Sequence, residues 1–221
     1  MIQKIFTLTL EPKNPVQFSL SEFRLSLNGK LAEYTQLHKN DAAGFIHRYP
    51  VIQCKQIKNF LIVIGISQGA DFLFSYSDGQ KEISEGNTTC TILERDAGIR
   101  NEEFGISETP YTYEFLTPYL ALNQQNAKKF YDLKGKPDRD AFMLRILSDN
   151  LATLAKSLEY QMPVPIRCEA KLRFRIDFIE RENVIVFLGK FQTNLRIPDY
   201  FGIGQSVSKG FGTIRALPPE S

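Results

Sequence analysis

FIHRYPVIQCKQIKNFLIVIGI, residues 45–66, decides how the rest of the chain is read. Two apolar-rich segments flank Lys58-Asn59, a pair suited to a tight turn, so the stretch predicts a hairpin of two strands. Working outward toward the N-terminus, IQKIFTLTL (residues 2–10) alternates apolar and polar side chains as a half-buried strand does. Between them, SLSEFRLSLNGK (residues 19–30) sets Leu20, Phe23, Leu25 and Leu27 roughly on one helical side, with Asn28-Gly29 as the stop. Outward in the other direction, SQGADFLFSYSDG (residues 67–79) reads as a short helix with a serine start and a glycine end, and TTCTILERD (residues 88–96) as a strand. The order β-α-β-β-α-β is the split unit of a ferredoxin-like domain, placed at residues 1–100.

A glycine-punctuated, charged stretch, AGIRNEEFGISETP (residues 97–110), is expected to be a linker. Beyond it YTYEFLTPYLAL (residues 111–122) is strand-like. DRDAFMLRILSDNLATLAKSLEY (residues 138–160) is the strongest helix, with Phe142, Ile146, Leu147, Leu151, Leu154 and Leu158 at three- and four-residue steps. Asp138 and Asp140 suit its N-terminal dipole. RCEAKLRFRIDFIE (167–180) and NVIVFLGKFQTNL (183–195) form a second strand pair turning at Arg181-Glu182, and GTIRAL (212–217) a last short strand. The element order repeats, with the second helix replaced by a loop. The fold class is therefore α+β, two tandem ferredoxin-like (RRM-like, βαββαβ) domains, the second at residues 106–221.

The 221 residues, 43% hydrophobic and 12% aromatic, suffice for a buried core. No apolar run has transmembrane length, which argues against a membrane partner. The opening MIQKIFTLTLEPKNP reaches a proline and charges too soon for a signal peptide. Cys54, Cys90 and Cys168 have no metal-ligand spacing, and a reducing cytoplasm is the expected location. The net charge of +2 hides a division: residues 61–116 carry three Lys/Arg against ten Asp/Glu, and the remainder carries 24 against 15. Such segregation suits a protein with one face toward a polyanion, although ordinary patchiness produces it too.

GIGQSVSKGFG, residues 202–212, holds four glycines in eleven positions. A mononucleotide loop needs G-x-x-x-x-G-K-[ST] before a long helix, and too little chain follows to build one. The dinucleotide pattern G-x-G-x-x-G fails at Val207. KGFGTI begins like the RNA-recognition signature, but Thr213 and Ala216 stand where that signature stacks aromatics. Two readings stay open: glycines that let amides approach phosphates while Lys209 adds charge, or a glycine turn that packs.

Taken together, LRIPDYFGIGQSVSKGFGTIRAL (195–217) resembles the C-terminal signature of the CRISPR-associated repeat-processing endoribonucleases, within the repeat-associated mysterious protein (RAMP) superfamily. EYTQLHKN (33–40), FIHRYPVIQCK (45–55), VIGISQGADFL (63–73) and YEFLTPYLALNQQNAKKFYDL (113–133) are similar to the branch of that family with a histidine soon after the first helix. The resemblance implies two ferredoxin-like domains and an enzyme of antiviral defence that needs no cofactor. It also implies metal-independent cleavage of CRISPR repeat RNA, leaving a 2′,3′-cyclic phosphate and a 5′-hydroxyl. Precursor and guide RNA are the implied partners, with effector-complex subunits as further ones and a monomer or homodimer as the assembly.

That chemistry needs a base, an acid and positive charge on the phosphorane. His38 lies in a polar segment where an imidazole can titrate near neutrality. Lys30 and Lys55 flank it in sequence as sources of charge, and Tyr49 is placed to orient the 2′-hydroxyl or phosphate. His47, within the expected strand, is the competing histidine. Some relatives carry a second histidine close after the first, where this chain has Lys39 and Asn40. Gly202, Gly204, Ser206, Ser208, Lys209, Gly210, Phe211 and Gly212, with Arg48 and Arg196, are the expected RNA contacts. Arg167, Lys171, Arg173 and Arg175 describe either a basic sheet edge or a plain solvated strand face. No sequence pattern for a metal centre is present. A non-catalytic guide-RNA-binding subunit is the alternative, and a small-molecule-binding pair of ferredoxin-like units a third reading.

Overall fold

A computed structural model describes residues 1–12, 49–76, 82–85, 88–179 and 181–218. Two compact units are present, one of Gln3–Glu102 with Ser208–Gly210, the other of Met1–Ile2, Glu103–Val207 and Phe211–Ser221. The N-terminal unit is built from strands β1 (Ile2–Pro12), β2 (Ile52–Ile57) and β3 (Phe60–Ile66), helix α1 (Gln68–Tyr76), and strands β4 (Glu82–Glu85) and β5 (Thr88–Glu103). Their sheet order is β2-β3-β1-β5-β4. The first four positions are the antiparallel order of a ferredoxin-like unit, and β4 adds an edge strand that the sequence did not announce.

The expected hairpin is there: Ile57 pairs with Phe60, and Lys58 turns with φ +54. One sheet face carries Phe6, Leu8, Ile52, Cys54, Leu61 and Val63, packed with Ala70 and Leu73 of α1. On the other face Ile5, Ile62, Ile64 and Ile66 are also buried. FLIVIGI is thus a continuous apolar run because the strand is covered on both sides. Gly65 and Gly69 set the helix down: a Cβ on Gly65 would lie 2.4 Å from the Gly69 carbonyl oxygen, and one on Gly69 would lie 2.4 Å from that of Val51.

The C-terminal unit comprises β6 (Gly105–Phe115), α2 (Gln124–Asp132), α3 (Lys136–Ser157), β7 (Cys168–Ile179), β8 (Glu182–Arg196) and β9 (Ile214–Ala216), and a 3-10 turn (Val207–Lys209) starts at its Val207. The sheet order β7-β8-β6-β9 is again ferredoxin-like, with the glycine loop and its 3-10 turn where a second helix belongs. Helix α3 starts at Gly135 with Pro137 in its first turn and buries Met143, Ile146, Leu147, Leu151, Leu154 and Ala155. These meet an aromatic core of Tyr113, Phe115, Tyr119, Phe130, Phe187 and Phe191. Parallel stacking of Phe115 and Tyr119 at 4.6 Å lies at its centre.

Three expectations need correction. Residues 97–110 are no loop: β5 runs to Glu103 and β6 begins at Gly105, with only Phe104 between. Phe104 is buried, its N–H bonds to the Met1 carbonyl oxygen, and Gly105 takes φ +141 to turn the chain. Helix α2 was unforeseen; Asn123 caps it by accepting from the Asn126 N–H, and Phe130 is its one buried anchor. Strand β2 starts at Ile52 rather than near Phe45. The expected helix at 19–30, His47 and the residues around it lie outside the described residues. Among the described residues, no helix is long and apolar enough to cross a membrane.

Candidate functional site

Residues 201–214 close into a loop packed on 116–121. The Ile203 N–H donates to the Gly212 carbonyl, the Gly212 N–H to that of Pro118, and the Gln205 N–H to that of Leu120, at 2.8–2.9 Å. Thr213 donates its N–H to Thr117 Oγ1. Gly212 has φ +62, and a Cβ there would sit 1.9 Å from the Ile203 oxygen. On Gly204 it would lie 2.6 Å from the Leu120 oxygen and from the Tyr119 ring, and on Gly202 2.6 Å from Val207 Cβ. Close approach of backbone explains Gly212, that of the Val207 side chain explains Gly202, and Gly204 meets both a carbonyl and the Tyr119 ring.

Tyr119 is the platform. Its ring is fully buried, its hydroxyl accepts from Asn150 Nδ2 at 2.6 Å, and its main chain bridges to Phe187. Burial pushes its phenol pKa up, with the Asn150 hydrogen bond opposing. Tyr119 and Asn150 were missed as site-positioning residues; the apolar run TPYLAL was the available signal, and it read as strand.

The expected loop contacts now separate. Gly202, Gly210 and Gly212 are buried, whereas Ser206 is exposed and Gly204, Ser208, Lys209 and Phe211 are half-exposed. A polar crest over residues 205–209 is what the loop presents outward, and a phosphate would meet two hydroxyls and an ammonium there. The expectation that the glycines themselves open the loop to phosphates is replaced by one in which they fold it.

Arg196 ends β8, pairs with Glu103 and lies 5.7 Å over the Tyr111 ring. Both partners are substantially exposed, so the pair contributes only about 0–1 kcal/mol and exchanges readily for a phosphate. Tyr49 is half-buried just before β2. Lys55, expected to supply charge to the phosphate, is instead 0% exposed. Its Nζ donates to Gln53 Oε1 at 2.8 Å, and Gln53 Nε2 donates to the Pro50 carbonyl at 3.0 Å. Burial drives the Lys55 pKa down to about 7. A direct phosphate contact is not available to it in this placement. The relay ends on the residue beside Tyr49, and Gln53, its middle member, was not anticipated. His38, Lys30 and Arg48 lie outside the described residues. Among the described residues, no group of three or more His, Cys, Asp or Glu is arranged to hold a metal.

Two tandem ferredoxin-like units, the second closed by a packed glycine loop, define the class of fold. Within that class the chain belongs to the Cas6b family, whose N-terminal domain matches residues 1–103 and whose C-terminal domain matches residues 105–217. A crystal structure described as Cas6b is 30% identical, covering 98% of this chain and 100% of that one, with a TM-score of 0.85. Another, described as the CRISPR RNA processing endoribonuclease Cas6b, is 28% identical over 97% of this chain and 100% of that one, with a TM-score of 0.74. An uncharacterized protein of Methanocaldococcus jannaschii is 35% identical over 137 residues, 61% of this chain and 91% of its own.

Proposed function

We propose that the chain cleaves CRISPR precursor RNA within its repeats to give guide RNAs, without a metal ion. The single observation that supports this most is the end-to-end match to both Cas6b domains, with a relative described as a CRISPR RNA processing endoribonuclease. In the proposed step a base removes the ribose 2′ proton and the 2′ oxygen bonds to the adjacent phosphorus. The bond from phosphorus to the 5′ oxygen breaks, and that oxygen takes up a proton. The products are a 2′,3′-cyclic phosphate and a 5′-hydroxyl.

His38 is the proposed acid–base group, in keeping with an imidazole's titration near neutrality. Lys30 supplies charge and Tyr49 orients the reacting phosphate. Lys55 acts as a positioning residue through Gln53 and the Pro50 carbonyl, a role its burial supports better than direct contact. Ser206, Ser208 and Lys209, with Arg48 and Arg196, hold the RNA backbone, while Gly202, Gly204, Gly210 and Gly212 shape the loop and Phe211 borders it.

Incubation of the protein with repeat RNA in excess chelator tests this reading. Cleavage should persist and leave a cyclic phosphate on the 5′ fragment. A repeat with one 2′-deoxyribose just upstream of the cut should bind and stay intact, because its nucleophile is gone. Cleavage of that deoxy substrate, or loss of cleavage in chelator, would overturn the mechanism. Binding of repeat RNA without cleavage under any condition would leave a guide-RNA-binding subunit.

A further inference from the structure

Between α2, α3 and β7 of the C-terminal unit lies a groove of about 400 Å³, within the range of ligand-binding clefts. Its floor is aromatic: Phe130 meets Phe174 edge-on at 5.1 Å and Phe187 edge-on at 5.5 Å. Phe130 is 1% exposed, but Phe174 is 45% exposed. Arg139 lies over both rings, its guanidinium carbon 5.3 Å from the Phe130 centroid and 5.8 Å from that of Phe174. Its Nε donates to the Leu133 carbonyl at 3.1 Å, which fixes the plane of the guanidinium.

The charges lining this groove do not cancel. Asp140 is the one carboxylate in the lining, and Lys136 of the same helix engages it. Arg139 has no carboxylate partner among the described residues. Arg173, exposed on β7, makes neither a hydrogen bond nor an ion pair among them. Arg173, next to Phe174 on a regular strand, starts from the opposite sheet face. One guanidinium without a carboxylate partner, that of Arg139, therefore stands beside a half-exposed aromatic ring. That pairing recognises a π-face joined to an anion, the two parts of every nucleotide in a single strand. An acidic peptide would answer the charge and leave the ring uncovered.

We infer that this groove binds single-stranded RNA, stacking one base on Phe174 and meeting its phosphate with Arg139. The inference rests on the RNA-processing reading above and extends it. The groove is a site for RNA flanking the minimal repeat, separate from the glycine loop. It contributes affinity and does no chemistry.

The test uses the full chain and three RNAs: the minimal repeat, the repeat carrying a single-stranded oligouridine tail on either side, and oligouridine alone. A tail should tighten binding by wild-type protein. Phe174→Ala should remove about tenfold of that gain, the usual size for loss of one base-stacking ring, and leave minimal-repeat binding and cleavage unchanged. Arg173→Gln, at a side chain that leaves the opposite face of the same strand, is the control for charge on β7 and should keep that gain. A 4-thiouridine in the tail should cross-link to a β7 peptide. Unchanged tail binding in Phe174→Ala overturns the inference, as does equal loss on the minimal repeat or in Arg173→Gln. So does tighter binding of uridine monophosphate than of oligouridine, or a sedimentation change in Phe174→Ala without a change in tail binding. If wild type neither binds nor cuts the minimal repeat, the RNA-processing reading fails. Oligouridine affinity lost in Phe174→Ala would then still uphold the groove.

Discussion

The groove beside β7 and the packed ends of the glycine loop, 202–207 and 211–212, sit in one unit and both suit a polyanion, by opposite means. In the loop the main chain is turned inward: the amides of Ile203, Gln205, Gly212 and Thr213 are bonded within the unit, and the glycines are small so that backbone and side chains can touch backbone. Its outward chemistry is a short crest of serines and one lysine. In the groove side chains do the recognising, through the Arg139 guanidinium and a half-exposed ring. The difference teaches that glycine density marks where a chain must fold tightly, while unanswered charge marks where it is open to a ligand. Substitutions should then act through stability in the first region and through affinity in the second.

The largest effect expected is at Gly212. Gly212→Val forces a β-branched residue to φ +62 with its Cβ 1.9 Å from the Ile203 oxygen, and should destabilise the chain by about 3 kcal/mol or more. Urea unfolding reads it, and a change below about 0.5 kcal/mol, that of an ordinary surface substitution, would break the comparison from the loop's side. Next comes His38→Ala, which belongs to neither region and should separate rate from affinity. Cleavage should slow by about 10²-fold or more while RNA binding is nearly intact. A wild-type rate, with His47→Ala inactive, would exchange the two histidines.

Lys55 offers a third contrast, a cation buried where the others are exposed. Its folded pKa of about 7 lies below the ordinary 10.5, so from pH 7 to 10.5 the unfolded chain holds a proton that the folded chain has released. Stability should rise with pH across that window, by about 2 kcal/mol between pH 7 and 9, and stay level with respect to this group below it. Lys55→Met should flatten that rise in thermal unfolding. An unchanged pH dependence would show that the ammonium is solvated. The smallest effect is expected at Lys209. Lys209→Ala should weaken binding of all RNA sequences alike and lower the salt slope by about 0.7, one contact on a single strand, whereas Phe174→Ala should leave that slope in place.

What was legible in the sequence follows the same division. FLIVIGI and the spaced leucines of α3 announced strand and helix because each buries a continuous or periodic surface. QQNAKKFYD did not announce α2, since Phe130 is its only buried side chain and one anchor makes no period. Charges and glycines at 97–110 read as a linker because the strands there are largely exposed, and exposure looks the same in strand and loop. Neighbours Cys54 and Lys55 are both buried because both faces of the sheet are covered, which defeats the assumption that alternate residues meet water. Glycine spacing revealed the loop but not the direction of its amides. No local pattern could reveal the groove, whose arginine and rings come from four elements, α2, α3, β7 and β8.

The half-exposed ring of Phe174 has an optical consequence. The chain contains no tryptophan, so little in it emits in that residue's range. Phe174→Trp would place a lone indole in the lining of the groove, half in water and within reach of the guanidinium of Arg139. A base settling on that indole would dim and shift its emission, while RNA held only by the crest of the glycine loop would pass unseen. One residue would thus turn the occupancy of a single nucleotide position into a fluorescence signal at wavelengths where the protein's tyrosines emit little.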